Sequence, residues 1–452
     1  MSDTLLQSTS FASLPNWSVQ YLLQNKFSYN DRYNLAHIGD FLTRNKTAIT
    51  LEDDQTYKRV TIKINNGGVR LRDTEKGINI GTKNQFVVST GQFLLSKIDA
   101  RNGAFGVVPQ EVDNAIITGN FWTFDVDYAQ INPHFLALMT TTPEFIIFCN
   151  NASNGTTNRH YLQEDLFLEQ KIPLPTLDEQ NRLIDNYNQK IAQADHQEKQ
   201  ALDLEQGIEE YLFKELGIRK ATYNKRAKGL NFTTFETLDV WGADKLLHGN
   251  VNDILKSTIY PNQKLSHLLE VNPRTDLSSL KNEDSMSFVP MRNVSDTYGK
   301  IIKSDEGVKS NSQGYTKFQE NDLIWARITP CMQNGKSAIA RKLVNGFGYG
   351  STEYHVLRRK NERFSIVFAY HLLRTQTVLQ DAINYFTGSA GQQRVPKSYL
   401  ENLLVPVPPL EKQKDIVTHL SNLKEKVKNL KEQAQQNRQD AITDFEKEIF
   451  KA

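Results

Sequence analysis

Lys171-Ile172-Pro173-Leu174-Pro175-Thr176-Leu177-Asp178-Glu179-Gln180 decides the architecture, because a close copy returns as Leu404-Val405-Pro406-Val407-Pro408-Pro409-Leu410-Glu411-Lys412-Gln413. Gln413 follows Gln180 by 233 residues in a chain of 452, so the period is about half the sequence. Self-similarity over such a distance reports two similar structural units. After each Pro-x-Pro comes a charged segment with apolar residues at helical spacing and no proline once the helix has begun. The repeat therefore predicts a globular unit followed by a long helix, twice.

In the second long segment Ile416, Leu420, Leu423, Val427, Leu430, Ala434 and Ala441 fall on one seam, in the steps of four and three that mark a coiled coil. Asn437 holds the seam position between Ala434 and Ala441, where a polar residue can fix register. The first segment carries Ile184, Tyr187, Ile191, Ala194, Ala201, Ile208 and Leu212 on a stripe interrupted by Glu198 and Glu205. Leu202 and Leu204 widen that face and predict more than one neighbour, and Gly217 is placed to end the helix. Residues 178–216 would make a helix about 58 Å long, more than an ordinary domain requires. Such helices could pack on their own units, mediate homodimerisation, or pair with each other as a strut. Residues 178–216 carry a net charge of −6 and residues 411–452 a net of +1, which favours pairing between the copies.

Upstream of the prolines the repeat continues. Leu35-Ala36-His37-Ile38-Gly39-Asp40-Phe41 aligns with Leu265-Ser266-His267-Leu268-Leu269-Glu270-Val271, and Leu94–Ile98 with Ile324–Ile328. Phe135–Met139 and Tyr370–Arg374 read as matching helical stretches, and Trp17 and Trp241 stand near the start of each unit. Arg59–Ile64, Phe86–Val88 and Ile116–Thr118 are short β-branched runs bounded by turn residues, which read as strands. Each unit is thus expected to be mixed, with a central antiparallel sheet. Between the landmarks the copies diverge, as two modules on one scaffold would if they read different targets.

The polar loops carry the side chains suited to base edges: Arg for guanine, Asn or Gln for adenine. In the first unit these are Lys97, Arg101, Asn102, Thr156, Thr157, Asn158 and Arg159; in the second, Arg327, Gln333, Asn334, Lys336, Gln392, Gln393 and Arg394. Gly103 and Gly335 would let backbone approach a ligand. One such loop alone is ordinarily a solvated turn; recurrence at matching places makes these candidates. The whole chain is +2, so with the helices subtracted the globular parts hold a surplus of +7, compatible with a polyanion or with scattered solvated lysines. The basic stretch from Arg219 to Lys228 reads as an exposed linker or a phosphate contact.

No apolar run is long enough to span a membrane, and Met1–Gln7 lack the basic and apolar regions of a signal peptide. Two cysteines, Cys149 and Cys331, cannot form a disulfide framework. A cytoplasmic location with no membrane contact is the expectation.

With both Pro-x-Pro-x-Leu-x-x-Gln segments in place, at Pro173–Gln180 and Pro406–Gln413, the chain resembles the specificity subunit of type I restriction–modification systems over nearly all its length. The elements from Leu94 to Gly106 and from Asn321 to Ile328 also look like those of the family. The resemblance implies an α+β fold: two pseudo-repeated mixed α/β target-recognition domains separated by two long helices forming an antiparallel coiled coil. It divides the chain into a first recognition domain (1–177), a first spacer helix (178–217), a linker with the second recognition domain (218–410) and a second spacer helix (411–452). It implies double-stranded DNA with a bipartite target, two methyltransferase subunits and motor–nuclease subunits as partners. S-adenosylmethionine, ATP and Mg would belong to those partners, with no cofactor, metal or catalytic residue in this chain.

The residues agree by omission. Asn272-Pro273-Arg274 lacks the second proline and the aromatic of an adenine-methyltransferase motif and reads as a turn. No Gly-x-x-x-x-Gly-Lys-Ser/Thr phosphate loop is present, and His196 with Glu198 has no metal-site context. A non-enzymatic coiled-coil adaptor for proteins is the alternative.

Overall fold

The computed structural model describes residues 27–156, 159–219, 254–297, 299–388 and 392–451. Trp17, Trp241 and the basic stretch from Lys220 lie outside these. The described residues up to Glu198 join those from Glu432 onward in one compact unit, and Lys199–Lys431 form a second.

The first unit opens with β1 (Leu35–His37), β2 (Leu42–Asn45), β3 (Ala48–Thr50), β4 (Thr56–Lys63), β5 (Gly68–Lys76), β6 (Asn84–Val88) and β7 (Phe93–Ser96). It continues through β8 (Phe105–Val107), β9 (Ala115–Ile117), β10 (Phe121–Val126), α1 (Pro133–Met139), α2 (Pro143–Asn151), β11 (Ser153–Thr156), β12 (Arg159–Leu162), α3 (Glu164–Glu169) and β13 (Lys171–Pro173). The long helix α4 (Leu177–Leu216) follows. The second unit has β14 (Asn262–Lys264), α5 (Leu265–Leu268), β15 (Leu269–Val271), β16 (Ser285–Val289), β17 (Asp305–Val308), β18 (Thr316–Gln319) and β19 (Leu323–Ala326). Then come β20 (Ser337–Ile339), β21 (Phe347–Gly350), β22 (Tyr354–Arg359), α6 (Ile366–Leu373), α7 (Gln376–Ile383), α8 (Lys397–Asn402), β23 (Leu404–Pro406) and the second long helix α9 (Leu410–Ile449).

Instead of one central antiparallel sheet, each unit has two larger sheets. The shared one is antiparallel, ordered β2-β10-β7-β8 in the first unit and β15-β22-β19-β20 in the second. Its middle strands are apolar on both faces: every residue of β7 and β19 is buried, because helices cover one side and the second sheet the other. The second sheets are unlike, five strands ordered β3-β6-β9-β4-β5 against four ordered β17-β16-β21-β18, and each contains one parallel pairing, β4 with β9 and β16 with β21. The divergence seen in sequence is concentrated here.

Register corrects one alignment. β1 pairs with β13 as β14 pairs with β23, and Ile38 N–H donates to Gln170 O as Leu265 N–H donates to Leu403 O. Ile38, not Leu35, is therefore the counterpart of Leu265. Both are fully buried, whereas Leu35 is half exposed.

The short helices begin at side-chain caps. Asn132 caps α1 ahead of Pro133 and Thr142 caps α2 ahead of Pro143, each satisfying an orphan N–H, while Ser365 and Thr375 do the same for α6 and α7. α4 ends in a Schellman turn: Gly217 has φ of 61°, Ile218 N–H reaches Phe213 O at 2.8 Å, and Gly217 N–H reaches Lys214 O at 3.2 Å.

The long helices run antiparallel in both units. In the first, Lys190 pairs with Asp444, Arg438 with Asp195 and Glu198, and Asn437 Nδ2 donates to Gln197 Oε1 at 2.9 Å. In the second, Lys431 pairs with Glu205 at 2.7 Å and Lys412 with Glu215 at 2.5 Å. Ile416, Leu420, Val427, Ala434 and Ala441 are buried along the seam, opposite Ile184, Ala194, Ala201 and Leu212. Glu198 and Glu205, apparent interruptions of the stripe, are its flanking ion pairs. Leu202 is 51% exposed and does not widen the buried face as expected. The helix ends also enter the module cores: Leu183, Ile184, Phe445 and Ile449 in the first unit, Leu212, Phe213, Leu216, Ile416 and Leu420 in the second. Among the described residues no helix is long and apolar enough to cross a membrane.

Candidate nucleic-acid interface

Lys97 leaves the buried strand β7 and immediately meets the hairpin of β11 and β12. Its carbonyl accepts Leu162 N–H at 2.8 Å and its amine lies 5.4 Å from the centre of the Tyr161 ring. Arg101 and Asn102 follow in a 3-10 turn anchored by the buried Ala100. Gly103 closes that turn at φ of 75°, and a Cβ there would strike the Asn66 side chain. Its glycine thus serves the turn and a protein contact, not an open approach for a ligand. Thr156 and Arg159 are backbone partners at the end of the β11–β12 pairing. Thr157 and Asn158 lie outside the described residues.

The second unit repeats this junction. Arg327 leaves β19, its carbonyl accepts Val395 N–H at 2.9 Å, and its N–H donates to Glu353 O at 2.9 Å. Thr329 N–H donates to Gln393 O, and Ile328 bridges Arg394, so the loop from Arg327 to Lys336 and the segment Gln392-Gln393-Arg394 form one surface. Gln333 and Asn334 are exposed on it, the former accepting a hydrogen bond from Thr329 Oγ1 at 2.6 Å. Lys336 Nζ points away to Met291 O at 3.3 Å. Gly335, at φ of 70°, matches Gly103.

Two candidates have their charge engaged within the fold. Arg394 binds Glu353 through Nε at 2.9 Å and Nη2 at 2.8 Å and donates from Nη1 to Gln392 O at 2.9 Å. The Glu353 carboxylate also lies 4.0 Å from Arg327 Nε. One acid therefore orders two bases of the loop.

Sequence reasoning missed three contributors. The tip of the β4–β5 hairpin, Asn65 and Asn66 at φ of 56° and 60°, docks on the first loop: Asn65 N–H donates to Asn102 O at 2.7 Å and Asn66 N–H to Gly103 O at 3.2 Å. Ile64 beside it is exposed. Asn-Asn-Gly-Gly after an apolar run was a hairpin signal, but nothing local told which loop it would meet. In the second unit Arg374 Nη1 donates to Gly335 O and Nη2 to Asp296 O, each at 2.5 Å, with its guanidinium 5.5 Å from the Tyr370 ring centre. Glu353, which orders Arg327 and Arg394, had no sequence signal beyond its charge.

Beneath the second loop, His355 is fully buried. Its Nε2 faces Val395 O at 2.9 Å and its Nδ1 faces Asn272 Nδ2 at 3.1 Å, the pattern of a neutral ring protonated at Nε2. Asn272 turns the chain at φ of 56° and also accepts Val356 N–H. Burial drives the imidazole pKa down to about 4, more than the Val395 carbonyl raises it. Between 6.5 and that value the unfolded chain binds a proton that the fold refuses. Stability therefore falls as pH drops through this window, by up to about 1.4 kcal/mol per pH unit. His371, also lowered by burial, acts in the same direction. Urea unfolding followed from pH 7 to pH 5 should show the second unit weakening, with a shallower slope in a His355→Gln chain; equal slopes would contradict the assignment.

The chain matches the family described as "Type I restriction modification DNA specificity domain" twice, over residues 30–211 and 262–437. It is 35% identical over 174 residues to the type I restriction enzyme EcoAI specificity subunit of Escherichia coli, covering 38% of this chain and 29% of that protein. It is 35% identical over 162 residues to the EcoEI specificity subunit of the same organism, covering 35% and 27%. The aligned stretch thus spans less than a third of the length of these curated relatives. A chain from a solved type I R-M system, studied for complex assembly and conformational transition, shares the fold with a TM-score of 0.58 at 14% identity, over 94% of this chain and 99% of that one. With both repeats matched across most of its length, the chain belongs to the type I restriction modification DNA specificity family.

Proposed function

We propose that this chain is the DNA-reading subunit of a type I restriction–modification complex, recognising a bipartite duplex target with one half-site per module. The observation that supports it most is the repeated junction after β7 and β19: a shared frame presents polar loops at equivalent places, while the unlike second sheets reshape their surroundings. Residues 1–177 and 218–410 would be the recognition domains, and residues 178–217 and 411–452 the spacer helices. Lys97, Arg101, Asn102, Thr156, Thr157, Asn158 and Arg159 would face one half-site, with Asn65 and Asn66 added. Arg327, Gln333, Asn334, Gln392 and Gln393 would face the other, with Arg394 ordering the loop through Glu353. Two methyltransferase subunits and motor–nuclease subunits would dock on this scaffold and carry the chemistry, with S-adenosylmethionine, ATP and Mg bound there. The chain itself would be non-catalytic.

Binding of the chain with its methyltransferase partner to specific and scrambled duplexes, across a salt series, tests this. Specific binding should exceed scrambled by about a thousandfold or more, and its log affinity should fall linearly with log salt, because binding releases counterions from the phosphates. Binding without sequence preference and without salt dependence would favour a protein adaptor instead.

A further inference from the structure

Gln180 and Gln413, the last residues of the two Pro-x-Pro segments, are fully buried, and each spends its whole amide in the same way. Gln180 Oε1 accepts Asn132 N–H at 2.8 Å, and its Nε2 donates to Gln130 O at 3.1 Å and Pro175 O at 2.9 Å. Gln413 Oε1 accepts Ser365 N–H at 2.8 Å, and its Nε2 donates to Arg363 O at 2.9 Å and Pro408 O at 2.8 Å. Asn132 and Ser365 are the capping residues of α1 and α6. One side chain thus ties the long helix, the proline turn that opens it and the start of a short module helix. Shifting any of the three would leave a donor or acceptor unpaired without water, which strongly disfavours alternative angles.

The far ends of those short helices reach the candidate loops. Thr141, just past α1, accepts Asn66 Nδ2 through its carbonyl at 3.4 Å. Arg374, just past α6, holds Gly335 and Asp296 by their carbonyls. In each unit a single rigid helix therefore connects the glutamine amide to the loop surface, and the hydrogen bonds of neither glutamine go to a residue of the candidate loops.

We propose that Gln180 and Gln413 are positioning residues for recognition: each fixes the direction in which its long helix leaves the loops of its module, and so sets which spacer between half-sites is accepted, without touching DNA. This rests on the bipartite reading proposed above.

The test uses the assembled complex with its methyltransferase subunits and duplexes whose half-sites are fixed while the spacer changes one base pair at a time. Gln180→Met and Gln413→Met nearly conserve volume and remove the amide. In either, preference for the best spacer over its neighbours should fall about fivefold, the worth of one net hydrogen bond. Discrimination against base changes inside each half-site should stay at the wild-type level. Gln180→Asn and Gln413→Asn, one methylene too short to keep all three partners, are measured alongside in case a methionine variant does not fold, and should shift in the same direction. A folded variant that keeps the wild-type spacer ratio, or loses methylation equally at all spacers as a purely structural residue would, overturns the proposal. A wild-type complex indifferent to spacer would overturn the bipartite reading, and this proposal with it, before any variant is measured.

Discussion

Adding one matched heptad to both long helices, between Glu198 and Ala201 and between Lys431 and Ala434, should lengthen the accepted spacer by about three base pairs and leave both half-sites unchanged. Seven residues add about 10 Å of helix, close to three steps of a duplex. Seven is also the period of the seam, so the pairs on each side of the insertions, Lys190 with Asp444 and Glu205 with Lys431, would keep their register. On the original spacer the complex would engage only one half-site at a time, and affinity should fall about a hundredfold or more. The same insertion in α4 alone would leave the pairing of Lys190 with Asp444 incompatible with that of Glu205 with Lys431, one set being thrown out of register by seven residues. That chain should lose helix pairing and discrimination together. Methylation of a spacer series by each complex is the measurement, and an unchanged spacer in the doubly extended chain would contradict the ruler.

Arg358→Ala should cost the second unit about 3–5 kcal/mol, because it strands a buried charge. Asp322 is 1% exposed, and its carboxylate accepts Arg358 Nε at 2.8 Å and Nη2 at 2.7 Å, along with Gln319 N–H at 2.8 Å. Arg358 also donates to Thr275 Oγ1 at 3.1 Å, which ties the turn after β15 to the middle of the shared sheet. Arg359, one residue on, reaches exposed Glu362 and gives the control: Arg359→Ala should cost less than about 1 kcal/mol. Denaturant unfolding of the two variants decides it, and equal losses would show that burial of Asp322 is not what matters.

The parts legible in sequence were those set by local periodicity. The α9 seam could be read because its apolar spacing follows from helix geometry alone. Asn437 stood out as the polar break in it, though its partner Gln197 did not. The repeated Pro-x-Pro and its glutamine could be seen as a landmark, yet the amide's role depends on residues about 50 positions upstream in each copy. Strand pairing was the harder matter. A shared Leu-x-His followed by Ile or Leu placed Leu35 opposite Leu265, and only pairing with β13 and β23 shows the shift of three residues. The second sheets escaped because parallel contacts such as β4 with β9 join strands more than 50 residues apart, and their order follows from packing that no single run encodes. The candidate loops were visible by composition. Which of their side chains are tied down was not, since Glu353 and Arg374 reach them from other elements.

The most direct measurement is selection from a pool of random duplexes by the complete complex, followed by sequencing of what it binds and of the adenines it methylates. The expected result is two unlike half-sites separated by a non-specific spacer of constant length. A single contiguous sequence, or enrichment of neither half, would contradict the reading of this chain as two modules held at a fixed distance.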